Sequence, residues 1–167
     1  MSRAAVGDAD APDAWRTDAV RLAAVISGGA GVVHLVAARE HFGDETVYGA
    51  LFVLAGVLQL AWAALAWRRA DRRVLVAGIA LQLGIALAWA LSRTVGLPSG
   101  ETPWRPEAIG PLDAQATADE LLAAALAGLA LRRDRGHPRL ADVLEALGLL
   151  AVAGTWLMLA VGAEHGH

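Results

Sequence analysis

Two histidines and three carboxylates stand out as residues whose types could do chemistry together: His34, Glu40 and His41 in one stretch, Asp113 and Glu120 in another. Imidazole nitrogen and carboxylate oxygen suit a divalent cation such as zinc, iron, manganese or copper(II), with zinc the first choice; copper(I) handling normally uses sulfur. The chain offers no cysteine and only Met1 and Met158 as sulfur ligands. His34 and Glu120 are the centre of the candidate metal site, with Glu40, His41 and Asp113 as further ligands. The terminal stretch Glu164-His165-Gly166-His167 adds a second group of the same type. If the site were catalytic, a metal-bound water would be the nucleophile, with a nearby carboxylate as general base, in hydrolysis of an ester or amide at the outer membrane surface. No HExxH motif is present, and hydrogen bonding between helices would use the same residue types.

These residues must be positioned by helices within a bilayer. Of 167 residues 56% are hydrophobic and only 19% charged, an apolar excess over soluble domains that falls in blocks long enough to cross a membrane. The expected fold is all-α, an integral membrane bundle of about five transmembrane helices. They are placed near Ala19–Ala38, Val47–Trp67, Val74–Leu91, Leu112–Leu131 and Leu140–Ala163. Residues 1–18 lack the pattern of a signal peptide and read as a flexible cytoplasmic tail. Residues 92–111, rich in proline and glycine, read as an ordered external cap with Trp104 as its apolar anchor, and 164–167 as an external tail.

Arginine placement gives the direction. Arg68, Arg69, Arg72 and Arg73 crowd the second link, and Arg132, Arg133, Arg135 and Arg139 the fourth, so both belong on the cytoplasmic side. The N-terminus is then inside and the C-terminus outside, in a bacterial plasma membrane. Those arginines also serve as rulers. His34 is 13 residues from Arg21 and Glu120 is 12 from Arg132, which places both at about 20 Å and 18 Å above the cytoplasmic boundary. Equal heights on the first and fourth spans would let them meet. A carboxylate at that depth needs a partner, and His34, Asp119, Thr155 or a bound cation are the candidates. Gln59 and Gln82, each nine residues from its arginine, share a lower level and are expected to bond across helices two and three.

Several functions are excluded. All fourteen basic residues are arginine, so there is no lysine for a retinal or pyridoxal phosphate Schiff base. Haem with two histidine ligands lacks a second histidine at the depth of His34. A net charge of −3 offers nothing to nucleic acid. The partners expected are the lipid bilayer and other membrane proteins, so a non-enzymatic accessory or assembly subunit of a larger complex stands as the alternative function. Movement of protons or ions ranks below both, because no titratable relay continues into the cytoplasmic half.

The segment from Gly31 to Phe42, with its His34-x5-Glu40-His41 pattern, is followed by Tyr48-Gly49, Gln59-Leu60 and Trp62. Together with Ser92-Arg93-Thr94, Gly96-Leu97-Pro98 and Trp104-Arg105-Pro106-Glu107, it resembles a pattern in a family of small polytopic actinobacterial membrane proteins. The resemblance covers the middle of the chain. It implies a shared architecture and polar layer, and no catalytic role.

Overall fold

The computed structural model describes residues 11–99, 103–132 and 147–155. Four long helices follow one another: α1 (Ala11–Asp44), α2 (Thr46–Arg68), α3 (Arg72–Thr94) and α4 (Pro111–Leu131). All four are long and apolar enough to cross a membrane. A further helical segment, 147–155, lies within the fifth expected span, the rest of which falls outside the described residues. The protein is therefore an all-helical, multi-pass membrane bundle. The histidines of the terminal stretch also lie outside the described residues.

The helix ends have local causes. The Asp71 carboxylate caps α3 by accepting from the backbone N–H groups of Arg73 at 2.9 Å and Val74 at 3.1 Å. Pro111 opens α4, where its missing N–H costs nothing. Between α1 and α2 only Glu45 is non-helical, with an extended backbone. α1 thus runs six residues past the expected span end, through Gly43, and the link expected from Arg39 onward is a continuation of helix.

α1 packs against α2 and α4, while α3 packs against α4 and, along a thinner seam, α2. The four helices form a ring. Small residues line the contacts, with Ala23, Ala30, Ala123, Ala127 and Ala130 buried. At the α1–α2 crossing, a Cβ on Gly56 would stand 2.7 Å from the carbonyl oxygen of Gly31, so only glycine permits this approach. Large side chains such as Val57, Leu87, Leu91 and Leu121 point outward, as the lipid-facing side of a bundle requires.

One end of the ring collects the arginines. Arg16, inside the stretch expected as a flexible tail, donates from Nε to the carbonyl of Ala130 at 3.0 Å and from Nη2 to that of Ala70 at 2.7 Å. One side chain thus ties the start of α1 to the α2–α3 link and the end of α4, which gives the first turns of α1 a reason to be helical. Arg16→Gln is expected to cost about 1–2 kcal/mol, measured by thermal unfolding in detergent. An unchanged melting temperature would show that this tie carries no stability.

Candidate functional site

The level at which His34 and Glu120 were expected to meet is occupied by a contact between them. His34 Nε2 lies 2.8 Å from Glu120 Oε1, across the α1–α4 interface, with Glu120 1% exposed. The lower pair is also formed, with Gln59 Nε2 donating to Gln82 Oε1 at 2.9 Å. The two levels are joined. Gln59 Nε2 also donates to Glu120 Oε1 at 3.2 Å, and Gln82 Nε2 donates to Ser27 Oγ at 2.6 Å. Five side chains from four helices make one buried network. Ser27 was missed by the sequence reading, although it sits seven residues before His34 and hence on the same face of α1.

Asp119 and Thr155, both candidate partners for Glu120, bind each other instead. The Asp119 carboxylate accepts from Thr155 Oγ1 and, at 2.9 Å, from Gln115 Nε2. Successive residues of a helix point about 100° apart, so Glu120 faces the ring and Asp119 faces the 147–155 segment.

Beyond the network towards the α1–α2 corner is a cavity of about 470 Å³. Its walls are mostly apolar, among them Leu51, Leu54 and Leu58 of α2 and Leu81 and Ile85 of α3; His34 and Glu120 belong to its lining. It exists because α2 and α3 separate. Where they touch, Trp62 of α2 packs over Gly78 of α3 and donates from Nε1 to the carbonyl of Val74 at 2.8 Å. Further along, a Cβ on Gly84 would meet nothing within 4 Å.

Leu97 and Glu107, in the segment after α3, belong to the lining of the cavity, whereas Trp104 of the same segment is 63% exposed. Tyr48 Oη donates to the Ser99 carbonyl at 3.1 Å, and Ser99 Oγ donates to Glu45 Oε2 at 2.7 Å, which pins the segment to the α1–α2 corner. Glu107 holds it to α3 through an ion pair with Arg93 Nη1. Arg93 Nη2 also lies 2.6 Å from Asp113 Oδ2. In the sequence Arg93 and Glu107 figure only within the motifs Ser92-Arg93-Thr94 and Trp104-Arg105-Pro106-Glu107, with no partner assigned to either.

The five expected metal ligands are therefore only partly assembled. His34 and Glu120 touch. His41 lines the same cavity, but its Nδ1–H donates to the Ala37 carbonyl at 2.9 Å and its ring stacks on Phe52 at 3.8 Å between centroids. Asp113 lines the mouth, engaged by Arg93. Glu40 is exposed and does not line the cavity, because the unbroken helix keeps it off the face shared by His34 and His41. Among the described residues no three His, Asp or Glu side chains converge to hold a metal ion.

What the cavity does present is unfulfilled hydrogen-bonding capacity. Glu120 Oε2, Trp89 Nε1 and Arg93 Nε are buried without a hydrogen-bond partner, and all three residues line it. Buried polar atoms are nearly always paired, so three orphans on residues that line one apolar space, one acceptor and two donors, mark it as the candidate site. The fold and this site define a class, a polytopic helical membrane protein with a polar network beneath an apolar cavity. No family model, curated protein or solved structure matches the chain.

Proposed function

We propose that this is a multi-pass protein of the bacterial plasma membrane that binds a lipid-soluble organic molecule in the cavity between α2 and α3, with Glu120 as its polar anchor. The arginine-rich end is cytoplasmic by the positive-inside rule, which puts the cavity in the outer half. The observation that carries the reading is that Glu120, a residue lining an apolar space of about 470 Å³, keeps its Oε2 buried without a partner, so that a small shift of the carboxylate would present it to a molecule in that space. Such an oxygen in hydrocarbon is costly until a donor or cation reaches it, and the thin α2–α3 seam offers a route from the lipid.

Filling the space tests it. Gly84→Phe adds a ring where a Cβ meets nothing within 4 Å, and Ala55→Phe does so from α2. Protein purified in mild detergent is expected to carry an extractable small molecule, seen by mass spectrometry, that both variants lose while melting within about 2 °C of the parent. If nothing is extracted and neither variant changes what the protein binds, the reading is wrong.

A divalent cation at His34 and Glu120, zinc first, is the second reading, favoured by the same orphan oxygen lying beside an imidazole. The pair supplies two ligands, short of the three or four that zinc sites use. Elemental analysis of the same preparation separates the readings. Stoichiometric metal lost in a folded His34→Ala, Glu120→Gln variant would put the cation first.

A further inference from the structure

We propose that the ligand is a lipophilic ammonium ion, an amine protonated at neutral pH with a hydrocarbon body; this rests on the ligand-binding reading above and adds its chemical class. Among the described residues, the charged groups lining the cavity are Glu107, Asp113 and Glu120 against the single cation Arg93, with His34 and His41 as the titratable imidazoles. With both imidazoles neutral the lining has two negative charges in excess. Glu107 and Asp113 flank the Arg93 guanidinium at Nη1 and Nη2 and offset its charge, while Arg93 Nε and Trp89 Nε1 stay open as donors that an acceptor atom on the body of the ligand, not its ammonium, would fill. A fatty acid or an anionic lipid headgroup arriving there would meet two carboxylates.

At the inner end the requirement is more specific. Oε1 of Glu120 takes the Gln59 donor and faces His34, and Oε2 takes nothing. An ionised carboxylate is acceptor-only, so what completes it must donate. An alcohol would donate, but would leave the negative charge uncompensated among apolar walls. An ammonium N–H donates and compensates together, and in low dielectric the second effect is the larger. The cavity volume lies within the range of small-molecule sites, and Leu51, Leu54, Leu58, Leu81 and Ile85 suit an alkyl or aryl body.

Three probes of one chain length isolate the charge: octylammonium, octanol and octanoate, titrated by ligand-observed NMR into the intact protein in zwitterionic lipid nanodiscs. Discs carrying Gly84→Phe protein supply the background from partition into lipid. Octylammonium is expected to bind saturably at least tenfold more tightly than octanol, with octanoate weakest, and Glu120→Gln to remove the preference for ammonium. Octanol or octanoate binding as tightly as octylammonium would overturn the cation assignment while leaving the cavity a binding site; this is the result expected if His34 carries the compensating proton. An ammonium preference that survives Glu120→Gln would overturn it too. If no probe gives saturable binding sensitive to Gly84→Phe and nothing is extracted from the purified protein, the ligand-binding reading itself fails.

Discussion

Glu120→Ala is expected to lower the stability of the solubilised protein by about 3 kcal/mol, whereas Glu120→Gln is expected to stay within about 1 kcal/mol of the parent. Glu120 Oε1 faces His34 Nε2 at 2.8 Å and accepts from Gln59 Nε2 at 3.2 Å. Truncation removes this oxygen while leaving both nitrogens buried. Gln59 keeps its bond to Gln82, so the imidazole of His34 suffers most. Hydrogen bonds between membrane helices average only about 0.6 kcal/mol, because the separated helices also find partners. That average describes a pair, however, and deleting one partner imposes the desolvation cost of the other, which is the larger quantity. The new void would also merge with the cavity beside it. Glutamine keeps the shape and an acceptor at Oε1, so the pair of variants distinguishes loss of the network from loss of charge. A Glu120→Ala protein that melts within about 2 °C of the parent would mean that the network does not hold the helices together.

How much of this arrangement could be read from the sequence depends on which coordinate is asked for. Height was legible, because each span is anchored by an arginine and the helical rise per residue is fixed. The same ruler predicted the His34–Glu120 and Gln59–Gln82 contacts. Direction around each helix was not. Asp119 and Glu120 stand at almost the same height, and nothing in their order says which faces α1 and which faces the 147–155 segment. Side-chain length was a second gap: a glutamine reaches well above its own Cα, and Gln59 thereby joins two levels that a Cα-based ruler keeps apart.

The mouth of the cavity was less legible for a different reason. Counting arginines to orient a bundle treats each as a unit of charge, which hides Arg93, whose place is set by Glu107 and Asp113. Those partners come from beyond a loop whose path depends on Gly96 at φ 84° and on the Trp104 N–H bond to the Leu97 carbonyl at 2.7 Å, neither of which periodicity describes. Glu40 could join His34 and His41 around one ion only if the helix ended near Gly43 and let it turn back. One glycine near a helix end is a weak breaker, and α1 continues to Asp44.

Gly78→Ala provides the second large effect, and one in which two principles predict opposite signs. In a helix interior alanine is favoured over glycine by about 1 kcal/mol, so propensity alone makes this substitution stabilising. Packing opposes it. A Cβ at position 78 would stand 2.0 Å from Cε2 and 2.2 Å from Nε1 of Trp62, a ring that is only 6% exposed and whose N–H donates to Val74. The indole must move, and in moving it loses its hydrogen bond and its place against α3. We expect a net loss of about 2–3 kcal/mol, since overpacking of this kind outweighs propensity. Trp62→Leu supplies the control: with the ring gone, Gly78→Ala is expected to be neutral or to stabilise by up to about 1 kcal/mol. Thermal unfolding of the four proteins of that cycle measures the coupling directly, and a Gly78→Ala protein that melts above the parent would place Trp62 elsewhere. The consequence extends to the site. Gln59 and Gln82 lie about one turn from Trp62 and Gly78 towards the cavity, so separating α2 from α3 at the tryptophan also lengthens the bond that holds Gln59 beneath Glu120. Ligand affinity should therefore fall with stability in Gly78→Ala and recover with it when Trp62 is removed, a correlation not expected if the seam and the cavity were independent.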